Sequence, residues 1–222
     1  PIASKVFDID KALVFLEKNQ AEGGSFAGAG LYTDWVAIAY GAAGVKNSSR
    51  DLLMDYLKNK SKLSSNLTDN ERRAMALLAL GENPYDFSGI NYIEAIVNKF
   101  DGNQFGDVNL INDDIFALIP LLSSGYTKDD EIIKKSLDHI LSQQSSDGSW
   151  NSSVDLSAAA IQLLVLFDDK EIITQAINKA EQYIVIQQKD DGGFDSVYST
   201  SWAEQSRVVI KKTWEKNKNT PI

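Results

Sequence analysis

Gln144-Ser145-Ser146-Asp147-Gly148-Ser149-Trp150 decides the fold, because its pattern returns along the chain. The pattern is glutamine, three residues, glycine, one residue, aromatic. Gln20, Gly24 and Phe26 repeat it, and so do Gln188, Gly192 and Phe194. A blurred copy holds Asn98, Gly102 and, one place late, Phe105. A fifth, due near 60–66, has lost the signature and reads Lys60-Ser61-Lys62-Leu63-Ser64-Ser65-Asn66. The later glycines lie 46 and 44 residues apart, and Gly24 to Gly102 leaves room for the degenerate copy. A fixed period of this length marks a repeat architecture.

Each signature sits between two helical segments. The one before it is amphipathic: Ile132, Ile133, Leu137, Ile140 and Leu141 recur at helical spacing, with Lys134, Lys135 and Asp138 opposite. The one after it is apolar on nearly every face, as in 158–167 and 74–80. That alternation predicts outer helices facing water and inner helices packed on both sides. The expected pairs are 8–19 with 33–43, 49–59 with 68–80, 91–99 with 113–123, 130–143 with 155–167, and 171–188 with 199–211. They make five repeats, about 8–44, 48–81, 91–125, 130–168 and 171–212, in a single domain over 1–222. Pro120 falls inside the third inner helix, where it should kink the helix or remove a backbone hydrogen bond. The signature glycine suits a left-handed helix C-cap, the glutamine amide ties down backbone groups, and the aromatic packs over the corner.

Composition narrows the function classes. The 222 residues are 43% hydrophobic with net charge -9, so a large core is expected and a nucleic-acid partner is not. With no cysteine, disulfides, thiolate zinc sites and cysteine nucleophiles are excluded. No segment reaches the roughly 18 apolar residues of a membrane span. No signal peptide is visible, and Pro1 in place of Met suggests a natural start that has been trimmed. Localisation is unknown from these features, and an extracellular or cell-surface setting is favoured.

These corners resemble the QW motifs of the prenyltransferase/squalene-hopene cyclase repeat family, and the chain looks like a non-cyclase bacterial member. The inner segments carry the likeness too: Thr33-Asp34-Trp35-Val36-Ala37, Asn112-Asp113-Asp114-Ile115-Phe116-Ala117, Val154-Asp155-Leu156-Ser157-Ala158 and Ser199-Thr200-Ser201-Trp202-Ala203. The resemblance implies an all-α fold, an α/α toroid of the terpenoid cyclase/protein prenyltransferase type, with inner helices around a cavity. A closed toroid of this type has six hairpins and this chain shows five. An excised fragment, an open arc and a toroid closed by its termini all stay open. Asn219-Thr220-Pro221-Ile222 looks like a linker into further repeats or domains.

The family's chemistry carries over poorly. Its prenyltransferases hold zinc with Asp, Cys and His, and here the one histidine, His139, takes the packing place of Phe15 and Tyr183 in other repeats. Class II cyclases protonate an alkene with the central aspartate of Asp-x-Asp-Asp-Thr-Ala. The matching stretch keeps only Asp155, flanked by Ser153 and Leu156; a lone ordinary aspartate is ionised at neutral pH. Asp101-Gly102-Asn103-Gln104-Phe105-Gly106-Asp107 starts like a calcium loop but puts Phe105 at a ligand position and Asn112 where a glutamate belongs. No metal or cofactor is expected.

Aligned through the inner helices, Thr33/Asp34, Asp113/Asp114, Asp155/Leu156 and Tyr198/Ser199 fall at equivalent helix starts. Capping explains one acidic residue per helix but not the adjacent pair Asp113-Asp114. The expected site is therefore a rim of Asp34, Asp113, Asp114 and Asp155 with the flat rings of Trp35, Tyr198 and Trp202. Such a rim suits a small ligand or a protein partner, both unidentified. The leading expectation is a non-catalytic binding or interaction module, part of a larger protein. The alternative is an enzyme, cyclase-like or carbohydrate-active, using Asp155 with Asp113 or Asp114 across a groove.

Overall fold

The computed structural model describes residues 8–28, 30–167 and 170–216. Among these the regular structure is helical, with isolated bridges but no strand. Ten helices form five consecutive pairs: α1 (Ile9–Lys18) and α2 (Gly30–Ala42); α3 (Ser48–Asn59) and α4 (Leu67–Leu80); α5 (Tyr92–Val97) and α6 (Ile111–Ser123); α7 (Glu131–Ser142) and α8 (Val154–Leu164), which a 3-10 turn, Val165–Phe167, extends; α9 (Glu171–Gln187) and α10 (Val197–Val209). The helix ends lie within a few residues of the sequence expectation. The largest differences are a shorter α5 and an earlier start for α2. Among the described residues no helix is long and apolar enough to cross a membrane. The expected linker at Asn219–Ile222 lies outside the described residues.

Two compact units divide the chain. The first runs to Lys99 and includes Pro120–Gly125; the second holds Phe100–Ile119 and everything from Tyr126 onward. The division falls inside α6, at Pro120. The helix runs through that proline, which has no N–H to donate to the preceding turn.

In the first unit α4 packs on α2 and α5. Leu53 and Leu57 of α3, Leu77 of α4 and Ile93 and Ile96 of α5 are buried. In the second unit α8 packs on α9 and α10. α8 is buried on nearly every face, from Val154 through Leu164, whereas α7 buries Ile133, Leu137 and Ile140 and exposes Lys134, Lys135 and Asp138. The amphipathic and all-round apolar characters read from sequence are thus kept in this hairpin. α1 is the exception. It buries no residue, and Phe15 is 66% exposed, so Phe15 is not the packing counterpart of His139 and Tyr183.

Short polar side chains set the helix starts. Asp8, Asn47, Asn66, Asn91, Ser153 and Ser196 each precede a helix and accept a backbone N–H of its first turn, which satisfies donors the helix itself cannot. None of Asp34, Asp113, Asp114 or Asp155 is such a cap. Beside Asp155 that capping role falls to Ser153.

Candidate functional site

The corners between paired helices obey one rule that the sequence pattern did not reveal. The backbone N–H of the corner aromatic donates to a side chain on the fourth residue of the following helix. Phe26 N donates to Thr33 Oγ1 at 3.0 Å, Phe105 N to Asp114 Oδ1 at 2.8 Å, Trp150 N to Ser157 Oγ at 3.1 Å and Phe194 N to Thr200 Oγ1 at 3.0 Å. In the hairpin without the signature, Ser64 N donates to Asn70 Oδ1 at 2.9 Å. Thr33, Asn70, Asp114, Ser157 and Thr200 are therefore equivalent. That register corrects the alignment drawn from sequence: Asp34, Asp113 and Asp155 occupy three different helical positions.

The signature glutamine and glycine serve a second contact. Gln144 Nε2 donates to Gly148 O within its own corner (3.0 Å) and to Ala176 O of α9 (2.8 Å); Gln20 Nε2 does the same with Gly24 O (3.0 Å) and Ser49 O of α3 (2.9 Å). One turn further along, a Cβ on Gly148 would overlap Lys179 O of α9. At these two corners glutamine and glycine together seat the loop on the next hairpin's first helix, α3 for Gln20 and Gly24 and α9 for Gln144 and Gly148. The glycine lies in a loop turn beyond the helix C-cap, with φ +91° at Gly148, rather than at the C-cap itself.

The expected site residues are distributed as follows. Asp34 and Trp35 lie in the first unit, and Asp113, Asp114, Asp155, Tyr198 and Trp202 in the second. Asp113 is buried, accepts from Asp107 N at 3.2 Å and fills the space where a Cβ on Gly106 would stand. Asp114 is buried beneath Phe105, with His139 Nε2 3.6 Å from its second oxygen. Burial, and then the charges of Asp113 and Asp101, push its carboxyl up to about 7 despite the hydrogen bond from Phe105 N. Asp155 is half-buried in the first turn of α8. Trp202 is half-buried and meets Phe116 edge-on at 5.6 Å, whereas Tyr198 is 62% exposed. The acidic pair that seemed in need of a functional explanation is thus engaged by its own corner. In the calcium-like loop, Asp101 Oδ1 accepts Asn103 N and Gln104 N, and Asp107 Oδ1 accepts Asn109 N. Among the described residues no three His, Cys, Asp or Glu side chains group so as to hold a metal ion.

The cleft best built for a ligand lies elsewhere, in the first unit at the hairpin that lost its signature. Ser64 stands where the other corners place Phe26, Phe105, Trp150 and Phe194, all buried. It lines a cleft of 630 Å³ together with Asp34, Lys62, Arg72, Arg73 and Tyr92. In place of an aromatic plug, Tyr92 closes the loop: its hydroxyl lies 3.1 Å from Ser61 Oγ and 3.3 Å from Lys62 O.

The cleft floor is an ionic cluster. Asp34 comes from α2, one residue past the corner acceptor Thr33, and Arg72 and Arg73 come from α4. Arg73 Nε donates to Asp34 Oδ1 at 2.7 Å; Arg72 pairs with Asp69 at 2.5 Å and lies 3.7 Å from Asp34 Oδ2. All but Asp69 are more than nine-tenths buried. Burial raises the Asp34 carboxyl above its ordinary range, outweighing the two arginines. Asp69 is only partly buried, and hydrogen bonds from Arg72 and Ser64 outweigh that burial and hold it low. Of the residues named from sequence, only Asp34 reaches this cleft. The sequence signal that marks it is the lost corner, not the acidic rim.

No protein-family model matches the chain, and no curated protein matches it.

Proposed function

We propose that this chain is a non-catalytic binding module on α/α-toroid repeats of the prenyltransferase/squalene-cyclase kind, with its ligand site at the second hairpin. The repeated glutamine–glycine–aromatic corners and the packing of alternate helices, α2 on α4 and α8 on α10, support the architecture. One observation carries the function: a single corner of five lacks its aromatic, and there a 630 Å³ cleft opens over buried, oriented charges. Ligand sites favour concave places where a few polar groups converge, and breaks in an otherwise consistent pattern tend to be functional.

The enzymatic alternative needs two carboxylates poised for acid and base work. It loses support because Asp113 and Asp114 accept hydrogen bonds from Asp107 N and Phe105 N at their own corner. Two measurements test the proposal. Small polar fragments titrated into the ¹⁵N-labelled chain should shift the amides of Gly30, Ser61 and Ser64. Aryl glycosides and polyprenyl diphosphates should turn over no faster than the buffer blank. Turnover abolished by Asp155→Asn or Asp113→Asn overturns the proposal, as does a fragment set that leaves the three amides unmoved.

A further inference from the structure

The proposed binding cleft also has a charge preference, and the inference below rests on that reading of the cleft. Four cations, Lys60, Lys62, Arg72 and Arg73, line it against two carboxylates, Asp34 and Asp69. In a protein of net charge -9 this is a local inversion of sign. The carboxylates do not use up the donors. Arg73 spends Nε on Asp34, and Arg72 spends one terminal nitrogen on Asp69. The Nε–H of Arg72 is buried and makes no hydrogen bond among the described residues; its nearest carboxylate oxygen, Asp34 Oδ2, lies 3.7 Å away, beyond hydrogen-bond reach. A buried guanidinium donor without an acceptor is costly, and arginine matches planar or tetrahedral oxyanions through its fork of donors. Asp34 and Asp69, which also line the cleft, fix the two guanidinium groups in place through these contacts. Lys60 and Lys62 stand exposed at the mouth, where mobile ammonium groups attract an anion. Ser61 and Tyr92 add hydroxyls beside Leu31 and Tyr56, so the rest of the ligand meets walls of mixed polar and apolar character.

We infer that the cleft binds a small polar ligand through an oxyanion, a phosphate or a carboxylate, seated on Arg72 with Arg73 beside it and drawn in by Lys60 and Lys62. Neutral fragments occupy the same space more weakly. The adjacent carboxylates restrict the site to compact anions, since a larger polyanion would meet Asp34 and Asp69.

The test uses inorganic phosphate and acetate, each at constant ionic strength, on the full chain. The probe is the Nε–Hε resonance of Arg72, with calorimetry for affinity. Phosphate or acetate should move that resonance, and whichever binds more tightly identifies the anion class. Arg72→Lys keeps the charge but removes the Nε–H and should weaken binding by at least about tenfold. Lys62→Gln, outside the ionic cluster and exposed, should weaken it about two- to fivefold. Lys134→Gln, on α7, should change nothing, and thermal unfolding verifies that each variant folds. Anion affinities unchanged by both Arg72→Lys and Lys62→Gln overturn the inference. If neither anion moves Arg72 while neutral fragments still shift Gly30 and Ser64, the anion inference fails and the binding module stands. If nothing binds the cleft, both fail.

Discussion

Asp114 does the work that a threonine, a serine or an asparagine does in the other four hairpins, and it is the only one of the five that titrates. Its Oδ1 accepts Phe105 N, its Oδ2 has no hydrogen-bond partner among the described residues, and Asp113, Asp101 and His139 are the titratable groups around it. With its folded value at about 7 against 3.8 unfolded, the native state keeps a proton that the unfolded chain releases. Stability from this residue is therefore fully present below about pH 4, falls as pH rises towards 7 and levels off above. Asp114→Asn keeps the acceptor and cannot ionise, as Asn70 already shows at the second corner. Urea unfolding should find the variant more stable than the wild type at pH 8, by on the order of 2–4 kcal/mol. The gap should close towards pH 4. Parallel stability curves across that range would show that Asp114 carries no such linkage. The sequence made Asp113-Asp114 conspicuous for the right reason, that two adjacent acids exceed what a helix start needs. It hid the answer because one of the pair substitutes for a hydroxyl, and a shared hydrogen-bonding role across Thr, Asn, Asp and Ser leaves no shared letter.

At the scale of the element, the ten helices were legible because their apolar periodicity is strong, and the corners because glutamine, glycine and an aromatic recur. What the corners accomplish was only half legible. The glutamine ties its own loop, as expected, but its second acceptor sits on the next hairpin's first helix, a contact 29 residues away for Gln20 and 32 for Gln144. The glycine likewise answers to α9, and periodicity within one hairpin holds no record of the next. This separates two glycine substitutions that look alike in sequence. Gly102 and Gly148 both adopt left-handed backbone, with φ +104° and +91°. A Cβ on Gly102 meets nothing within 4 Å, whereas one on Gly148 would strike Lys179 O. Gly102→Ala should cost about 1–2 kcal/mol for the backbone alone. Gly148→Ala should cost roughly 1–3 kcal/mol more, because α9 must move. Chemical denaturation of the two variants gives the comparison, and equal losses would mean that the corner does not seat α9.

For the whole molecule the deciding property is charge distribution. A net charge of -9 repels itself more in the compact state than in the unfolded chain. The principal ion pair of the cleft, Asp34 with Arg73, is buried and little screened by salt. Pairs such as Lys135 with Glu131 and Lys189 with Asp195 are exposed and individually worth little. Raising sodium chloride from 10 to 200 mM shortens the screening length from about 30 Å to below 10 Å. It should therefore relieve repulsion and raise the Tm of the unliganded protein by a few degrees, since about 1 kcal/mol moves a chain of this size by roughly 2–4 °C. The cleft should respond with the opposite sign: the extra Tm that phosphate confers should shrink over the same range, because the lysines at its mouth attract an anion through water. Differential scanning fluorimetry with and without phosphate separates the two trends in one titration. A Tm that falls with salt in the absence of phosphate would place surface ion pairs, not net repulsion, in control of stability. A phosphate increment that survives 200 mM salt undiminished would assign the anion to the buried guanidinium groups alone, with no part for Lys60 and Lys62.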